Sequence, residues 1–279
     1  MIELNATSIW RVPLAFIDFE TTGLSSAGGD RVVEVAIVRI DHLDESETMR
    51  FQQLINPGEP VPATAEAIHG IGDDMLADAP SFAAALPDIA KHLKGALLVA
   101  HNAPFDVGFL HTECSRAGLD VPPHGPVLDT LRLARALFGF PSCGLSSLAK
   151  RMNVPLTDHH RALADATATW MVCKKMIECI DPTHRLTVSD LNQRIANMAQ
   201  GGPMRGEMKQ MFRKAAKNNS TLEIDYTRVQ GDGELKTTRR ITVQAWRHPN
   251  LKAWCHLRND ERIFRLDRIQ QVRLLSEPR

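Results

Sequence analysis

Residues 14–24 combine an apolar run with two carboxylates and a turn. They read Leu14-Ala15-Phe16-Ile17-Asp18-Phe19-Glu20-Thr21-Thr22-Gly23-Leu24. Side chains alternate between the two faces of a strand, so Asp18 and Glu20 lie on the same face. Two like charges held this close are costly unless a cation lies between them. The pair alone is a weak signal, because many such acids are solvated strand ends, but its apolar flanks indicate a buried strand.

Two further segments place an acid at the start of a predicted helix. They read His101-Asn102-Ala103-Pro104-Phe105-Asp106 and His160-Arg161-Ala162-Leu163-Ala164-Asp165-Ala166. An ordinary helix-start charge would explain Asp106 or Asp165 on its own. Together the four carboxylates stand at strand ends and helix starts, which one fold can bring together. Hard oxygen ligands of this number suit Mg²⁺ or Mn²⁺, and two such ions can clamp a phosphoryl group while a neutral histidine takes a proton from water.

The pattern of residues 1–180 indicates an α/β layer fold. We predict a meander of three strands at 14–20, 31–40 and 49–55, the last two half-buried because apolar and polar residues alternate. A short buried strand follows at 96–100. Apolar residues at helical spacing predict helices at 81–93, 105–117, 129–137, 145–152 and 160–180. Strands and helices around one sheet form an α/β architecture.

The three acidic motifs, in this order, resemble those of the DEDD-type 3′–5′ exonucleases in their histidine variant (DEDDh), a family that includes the proofreading subunit of bacterial replicative polymerases. The connecting stretch from Ile55-Asn56-Pro57-Gly58 to Ile68-His69-Gly70-Ile71 is also similar to the family. The resemblance spans about 14–176. It implies a ribonuclease-H-like fold, with a mixed five-stranded sheet and flanking helices. It also implies metal-dependent hydrolysis of single-stranded DNA or RNA from the 3′ end to nucleoside 5′-monophosphates.

The resemblance also implies roles for individual residues. Asp18, Glu20 and Asp165 would hold the ion that binds the attacking water, Asp18 and Asp106 would hold a second ion, and His160 would be the general base. His159 is expected to be a surface neighbour. The residues expected to contact the terminal nucleotide are Thr21, Thr22 and Leu24, with His69, Asn102 and Phe105 along its base and sugar. For His69 and Asn102 a structural role is an equal alternative.

Charge divides the chain unevenly, although its net charge is zero. Residues 1–203 contain 16 Lys and Arg against 24 Asp and Glu, a balance of −8; residues 204–279 contain 17 against 9, a balance of +8. A basic module can hold phosphate backbones. Opposite charges that help the two halves dock are the alternative.

Pro and Gly residues mark the boundaries between three predicted segments. These are an exonuclease domain at 1–180, a linker at 181–206 and a basic β domain at 207–279. The last is predicted as one helix followed by four or five strands that form a small barrel-like fold or a curled sheet. Ala253-Trp254-Cys255-His256-Leu257-Arg258 and Phe264-Arg265-Leu266-Asp267-Arg268-Ile269 make this part similar to a WYL domain, a Sm-like module that binds nucleic acid or nucleotides. The family's tripeptide is mostly missing at Pro249-Asn250-Leu251. We expect Arg258, Arg262 and Arg265 to bind nucleic acid.

Amino-acid composition argues against a disordered, membrane or secreted protein. With 43% hydrophobic and 24% charged residues, the chain is expected to be globular and not disordered. The first residues lack a positively charged leader, and no apolar run is long enough to span a membrane. Five cysteines without a C-x-x-C pair suit a reducing cytoplasm. We expect a cytoplasmic exonuclease; a non-catalytic nucleic-acid sensor is the alternative, and a polymerase or other protein partner is left open.

Overall fold

The computed structural model describes residues 4–44, 49–122, 124–138, 140, 142–156, 159–199, 203–230, 233–247, 250–266 and 269–275. The chain divides into two compact units. The N-terminal unit comprises Met1–Leu133 and Ser142–Asn192, and the C-terminal unit comprises Ala134–Pro141 and Gln193–Arg279. No helix within the described ranges is long and apolar enough to cross a membrane.

A mixed five-stranded sheet forms the centre of the described N-terminal unit. Its strands are β1 (Leu14–Thr21), β2 (Val32–Ile40), β3 (Met49–Leu54), β4 (Leu97–Ala100) and β5 (Val127–Asp129). Their order is β3-β2-β1-β4-β5, in which β1, β2 and β3 are antiparallel and β4 and β5 run parallel to β1. The predicted mixed sheet of five strands is therefore confirmed.

Helices connect and follow these strands along the chain. They are α1 (Ala63–His69), α2 (Asp73–Leu76), α3 (Phe82–Leu93), α4 (Ala103–Arg116), α5 (Thr130–Leu137), α6 (Leu145–Arg151) and α7 (Ala162–Ile180). Helix α7 packs on β1 and β2, while α3 and α4 also contact these strands. Strand β2 is consequently buried along almost its whole length, so its predicted half-burial is wrong. Strand β3, at the edge of the sheet, does show the predicted alternation between exposed and half-buried side chains over most of its length.

The N-terminal unit extends beyond the predicted domain boundary at residue 180. Asp181 is buried and accepts hydrogen bonds from the indole of Trp10 (2.9 Å) and the amide of Leu186 (2.8 Å). The ring of His184 stacks on Trp10 at 3.7 Å. Helix α8 (Val188–Ala199) follows. The first part of the segment predicted as a linker is thus fixed by a buried carboxylate, a contact between residues 171 positions apart.

The C-terminal unit is an antiparallel sheet with one helix against it. Helix α9 (Pro203–Asn218) precedes β6 (Thr221–Gln230), β7 (Gly233–Arg247), β8 (Asn250–Cys255), β9 (Asp260–Arg265) and β10 (Ile269–Leu274). The strand order is β10-β6-β7-β8-β9, so β9 and β10 are edges and the predicted barrel-like closure is wrong. The apolar face of the sheet is buried with Phe212 and Ala215 of α9, which removes the need for the sheet to close on itself.

Candidate active site

Three carboxylates of the N-terminal unit lie within coordination distance of one another. Asp18 and Glu20 come from β1, and Asp165 comes from the first turn of α7. Their ligand oxygens all lie within 4.8 Å of one another. Because α7 packs on β1, Asp165 reaches the strand that carries the other two acids. Glu20 and Asp165 are buried, and Asp18 is half-buried.

Asp106 approaches the same strand from the first turn of α4. It is 3% exposed, and its Oδ1 accepts a hydrogen bond from the Phe19 amide at 3.1 Å. Within the described residues, Asp106 is not a member of the 4.8 Å carboxylate group. Its charge nevertheless raises the pKa of Asp18, so the two acids are electrostatically coupled. The structure thus brings three predicted metal ligands together. The fourth, Asp106, is hydrogen-bonded to the backbone of the strand that carries two of them.

Burial and crowding raise the pKa values of these carboxyl groups. Burial is the largest cause for Glu20, and the charges of Asp165 and Glu34 add to it, so that the pKa of Glu20 rises to about 8. The pKa of Asp18 is raised well above its usual range by burial first and then by Asp106 and Asp165. Burial also raises the pKa of Asp106. Each group would ionise more readily if a cation compensated its neighbours.

The donor set fits a hard divalent cation. Asp18, Glu20 and Asp165 offer carboxylate oxygens, which Mg²⁺ and Mn²⁺ prefer, and they present more negative charge than the surrounding protein neutralises. Cation binding would relieve the repulsion that raises their pKa values.

Two adjacent histidines stand at the start of α7. The backbone of His160 has a left-handed conformation with φ 70°, and its amide donates to Asp165 at 3.3 Å. The Nδ1 atom of His159 lies 2.8 and 3.0 Å from the two oxygens of Asp165, and the two imidazoles stack at 3.8 Å. Burial, then the charge of His159, lowers the pKa of His160. The expectation that His159 is only a surface neighbour therefore needs correction: it is exposed, but its ring contacts a predicted metal ligand.

Comparison with known proteins identifies the family. A family model described as Exonuclease matches residues 15–172. The chain belongs to the exonuclease family. A second model, described as WYL domain, matches residues 207–274. Both resemblances predicted from the motifs are confirmed, and the first supports nuclease activity for the N-terminal unit.

Curated relatives match the exonuclease domain. DNA polymerase III PolC-type of Caldanaerobacter subterraneus subsp. tengcongensis is 38% identical over 176 residues, which are 63% of this chain and 12% of that protein. DNA polymerase III subunit epsilon-like protein of Rhodobacter capsulatus is 38% identical over 169 residues, 60% of this chain and 24% of that protein. The chain thus spans less than a quarter of the length of either relative.

Solved structures share the fold. Exonuclease X, in complex with 5′ overhanging duplex DNA, is 29% identical with a TM-score of 0.50 and covers 65% of this chain and 99% of that one. The nuclease domain of 3'hExo, a DEDDh family member bound to rAMP, has a TM-score of 0.56 at 17% identity and covers 64% of this chain and 97% of that one. The predicted ribonuclease-H-like exonuclease fold is confirmed.

The end of β1 and the loop after it carry three predicted nucleotide contacts, of which one is exposed to solvent. Leu24 is 87% exposed. Thr21 and Thr22 are buried, and the Thr21 hydroxyl donates to a carbonyl of the same turn. The Thr22 hydroxyl donates to Glu59 at 3.0 Å and accepts from the Arg31 amide at 2.9 Å. Both of these threonine hydroxyls are thus engaged within the protein, and Leu24 is the exposed side chain of the three.

The remaining predicted contacts of the exonuclease domain differ in exposure. His69 is 5% exposed, and its Nδ1 accepts from the Ile71 amide at 3.1 Å, which favours the structural alternative for this residue. Asn102 is exposed, with φ 74°, and its backbone amide donates to Asp129 at 3.1 Å. Phe105 is half-buried and packs against the core. Asn102 and Phe105 remain accessible beside Asp106.

The arginines predicted to bind nucleic acid lie around β9. Arg258 is exposed in the turn before this strand. Arg262 is exposed, and its Nε lies 3.4 Å from an oxygen of Asp260. The side chain of Arg265 is outside the described part of the structure. Part of the positive charge of this region is therefore compensated locally.

Other basic residues of the WYL domain are also paired with acids. Lys252 lies 2.8 Å from Glu261, and Arg273 lies 3.0 Å from Glu223. Arg240 lies 3.9 Å from the same glutamate. These acids are already counted in the balance of +8, so the pairs show which basic residues have acidic neighbours and leave the net charge unchanged.

The sequence predicts no role for three buried acids of the exonuclease domain. Asp129 ends β5 and accepts the amide of Asn102, which fixes the turn before α4. Glu113 is 2% exposed and binds Arg31 through both carboxylate oxygens at 2.8 and 3.0 Å. Glu34 is fully buried in β2. An acid flanked by valines in a mostly apolar strand is a sequence signal that can find Glu34, although it does not reveal the partner.

Proposed function

We propose that the chain is a metal-dependent 3′–5′ exonuclease that shortens single-stranded DNA or RNA and releases nucleoside 5′-monophosphates. The observation that carries this proposal is the convergence of Asp18, Glu20 and Asp165 in one group of oxygens, with Asp106 beside them and a histidine turn at its edge. A protein that only binds nucleic acid has no need to hold repelling carboxylates at this distance.

The carboxylates would hold two Mg²⁺ or Mn²⁺ ions. Asp18, Glu20 and Asp165 would bind one ion, and Asp18 and Asp106 would bind the other. When bound, such ions polarise the phosphodiester and lower the pKa of the attacking water. The protein's own contribution is to hold the acids in place: the Phe19 amide restrains Asp106, and the His160 amide together with the His159 ring restrains Asp165.

His160 would act as the general base. Its lowered pKa keeps the imidazole neutral near pH 7, the form that accepts a proton from the attacking water. Its left-handed backbone directly precedes the helix that carries Asp165. This arrangement supports His160 as a proton acceptor beside the acids that would organise the water.

Exposed groups near the acids would orient the 3′ end. Leu24, Asn102 and Phe105 are the accessible members of the predicted set. Thr21, Thr22 and His69 would support the pocket from within. Solved neighbours include proteins in complex with duplex DNA, with single-stranded DNA and with a histone mRNA stem-loop, so both DNA and RNA remain candidate substrates.

The WYL domain would capture the strand beyond the cleaved end. Its net positive charge complements a polyanion, and Arg258, Arg262 and Arg265 are the proposed contacts. A nucleotide ligand or the acidic exonuclease domain is the alternative occupant. Relatives that are polymerase III proteins suggest a polymerase partner, and the five free cysteines suit the cytoplasm.

The test is hydrolysis of 5′-labelled single-stranded DNA and RNA of equal sequence with Mg²⁺ or Mn²⁺. We expect a ladder of products that keep the 5′ label and shorten one nucleotide at a time, and nucleoside 5′-monophosphates as the released product. The Asp18→Asn variant serves as the matched control, because it is nearly isosteric. Binding without hydrolysis under every metal condition would favour the non-catalytic sensor.

A further inference from the structure

Glu34 is a buried carboxylate whose bonding capacity is filled by the protein. It lies in β2 opposite Glu20 of β1 and is 0% exposed. Its Oε1 accepts hydrogen bonds from Arg161 Nη2 and Gln52 Nε2, both at 2.8 Å. Its Oε2 accepts from Arg161 Nε at 3.2 Å and from the Ala162 amide at 3.0 Å. Glu34 therefore differs from Glu20: its oxygens already have donors, and no cation is needed to compensate them.

Through these bonds, Glu34 of strand β2 caps the N-terminus of helix α7. Arg161 is the N-cap residue, with extended backbone angles (φ −124°, ψ 125°), and its own side chain makes no capping bond. Ala162 is the first residue of the helix, and its amide has no acceptor within the helix. Glu34 supplies that acceptor and also binds the Arg161 guanidinium. The start of α7 is thus held by a strand 127 residues away in sequence.

The turn before this cap carries His160 in a conformation that needs support. A left-handed backbone is unfavourable for a residue with a side chain, and it persists only where the surroundings hold it. On one side, Asp165 accepts the His160 amide. On the other side, Arg161 and Ala162 are bound to Glu34. The turn is therefore anchored by a carboxylate at each end.

We infer that Glu34 is a positioning residue of the exonuclease site: through Arg161 and Ala162 it fixes the turn that presents His160 to Asp18, Glu20 and Asp165. The inference rests on the proposed function in one respect, the role of His160 as base. The competing explanation is that Glu34 serves only the stability of the fold.

The first variant is Glu34→Gln, which keeps the shape of the side chain. Its amide NH₂ group would face donors where a carboxylate oxygen stood, so two of the four hydrogen bonds that Glu34 accepts from Arg161, Ala162 and Gln52 are lost. With a chromogenic phosphodiester and Mn²⁺, we expect kcat to fall by about 10–100-fold, while KM stays within about threefold, because a misplaced catalytic group costs rate more than binding.

The second variant separates positioning from stability. Glu34→Gln combined with Arg161→Gln removes both charges, so no buried charge is left without a partner. We expect the double variant to regain most of the Tm lost by Glu34→Gln but not its kcat. This variant also keeps the inference testable if the single variant folds poorly.

Glu113→Gln is the matched control. Glu113 is likewise a buried glutamate with an arginine on both oxygens, Arg31 at 2.8 and 3.0 Å, but it does not bond to the histidine turn. We expect a comparable loss of Tm with kcat within about threefold of wild type. A kcat loss in Glu34→Gln no larger than in Glu113→Gln, or a kcat that returns with Tm in the double variant, would overturn the inference.

A readout without turnover separates this inference from the proposed function. Wild-type protein that cleaves no phosphodiester would contradict the proposed function alone. NMR of the metal-free protein would then decide: Glu34→Gln should speed amide exchange at Ala162 and move the backbone and ring signals of His160, whereas Glu113→Gln should leave them in place. Unchanged His160 signals in Glu34→Gln would show that Glu34 does not position the turn.

Discussion

Glu20 and Glu34 face each other across β1 and β2, and both are buried. Their surroundings are opposite. Burial raises the pKa of Glu20 to about 8, and Asp165 adds to the effect. Burial acts on Glu34 as well, but hydrogen bonds from Arg161 and the Ala162 amide outweigh it and lower the pKa of Glu34. One sheet face thus holds a carboxylate that the protein satisfies and another that it leaves uncompensated.

The difference separates acids that support the fold from acids that suit a metal. A buried charge with all its hydrogen bonds is an element of structure, whereas buried charges that repel one another at coordination distance are stabilised only by a proton or a cation. Burial alone would have grouped the two glutamates together. Their donors distinguish them.

The largest expected effect comes from neutralising an uncompensated acid. Asp18→Asn, Glu20→Gln, Asp106→Asn or Asp165→Asn should each reduce hydrolysis by at least about 10³-fold, because the amide cannot compensate a divalent ion, and EDTA should do the same to wild type. Single-turnover assays with a labelled oligonucleotide measure this. Near-normal turnover by a sequence-verified Asp18→Asn protein would contradict the metal assignment.

The next largest effect on hydrolysis is expected at the two adjacent histidines. His160→Gln should lower kcat by about 10²–10⁴-fold, the usual contribution of a general base, and His159→Gln should have a smaller effect because it acts through Asp165. In wild type, kcat should rise with pH through the ionisation of His160, at a pH below that of an unperturbed histidine. Equal losses in both variants would mean that the base is misassigned.

Stability should change in opposite directions at the two glutamates. In metal-free protein near pH 8, Glu20→Gln should be more stable than wild type by about 1–3 kcal/mol. The raised pKa means that a protonated Glu20 favours the fold at low pH and that this contribution is lost as pH rises through about 8. Glu34→Gln should be less stable by about 2 kcal/mol at pH 7.

The same linkage predicts how the Glu34→Gln difference depends on pH. The pKa of Glu34 is lowered, so its contribution is present above its unfolded pKa and is lost as pH falls through the folded one. Urea unfolding at pH 3.5, 7 and 8 in EDTA tests both glutamates. A loss of stability in both variants at pH 8 would contradict the conclusion that Glu34 is compensated by the protein and Glu20 is not.

Metal affinity should depend on pH for the same reason. Because the pKa of Glu20 is about 8 without metal, a bound cation must displace protons near neutral pH. The apparent Kd for Mn²⁺ should rise up to about tenfold for each pH unit below 8, and calorimetry in two buffers of different ionisation enthalpy should show proton release. Binding that is independent of pH between 6 and 8 would show that these acids are already ionised.

The smallest expected effect concerns two sets of basic residues in the WYL domain. Substituting Arg258, Arg262 and Arg265 by Gln should weaken binding of long single strands and flatten the salt slope of log affinity by about 0.7 for each phosphate that is no longer bound. The matched control is Arg240→Gln with Lys252→Gln, whose charges are paired with acids. Hydrolysis of a dinucleotide should not change in either protein. Equal effects of the two sets on the salt slope would show that binding is not concentrated at Arg258, Arg262 and Arg265.

Much of the secondary structure follows from local pattern. The predicted helix at 81–93 is observed as α3, capped by the Ser81 side chain, and the first strand predicted after the helix of the C-terminal domain is observed as β6. Patterns of this kind are local because propensity and periodicity act over a few residues. The burial of β2 on both faces does not follow from them, since it depends on helices far away in the chain.

The sequence by itself determined the family, the order of the acidic motifs and the elements that carry them. These follow from residue type and spacing along the chain, here those of Asp18, Glu20, Asp106, His160 and Asp165. The tertiary structure alone decided which buried acids are compensated. His159 contacts Asp165, and Glu34 binds Arg161 across 127 residues of sequence, because sheet pairing and the packing of α7 bring these groups together. The tertiary structure also decided that the C-terminal sheet stays open, since α9 buries its apolar face. Charge compensation and burial are properties of neighbours in space, and spacing along a chain does not specify them.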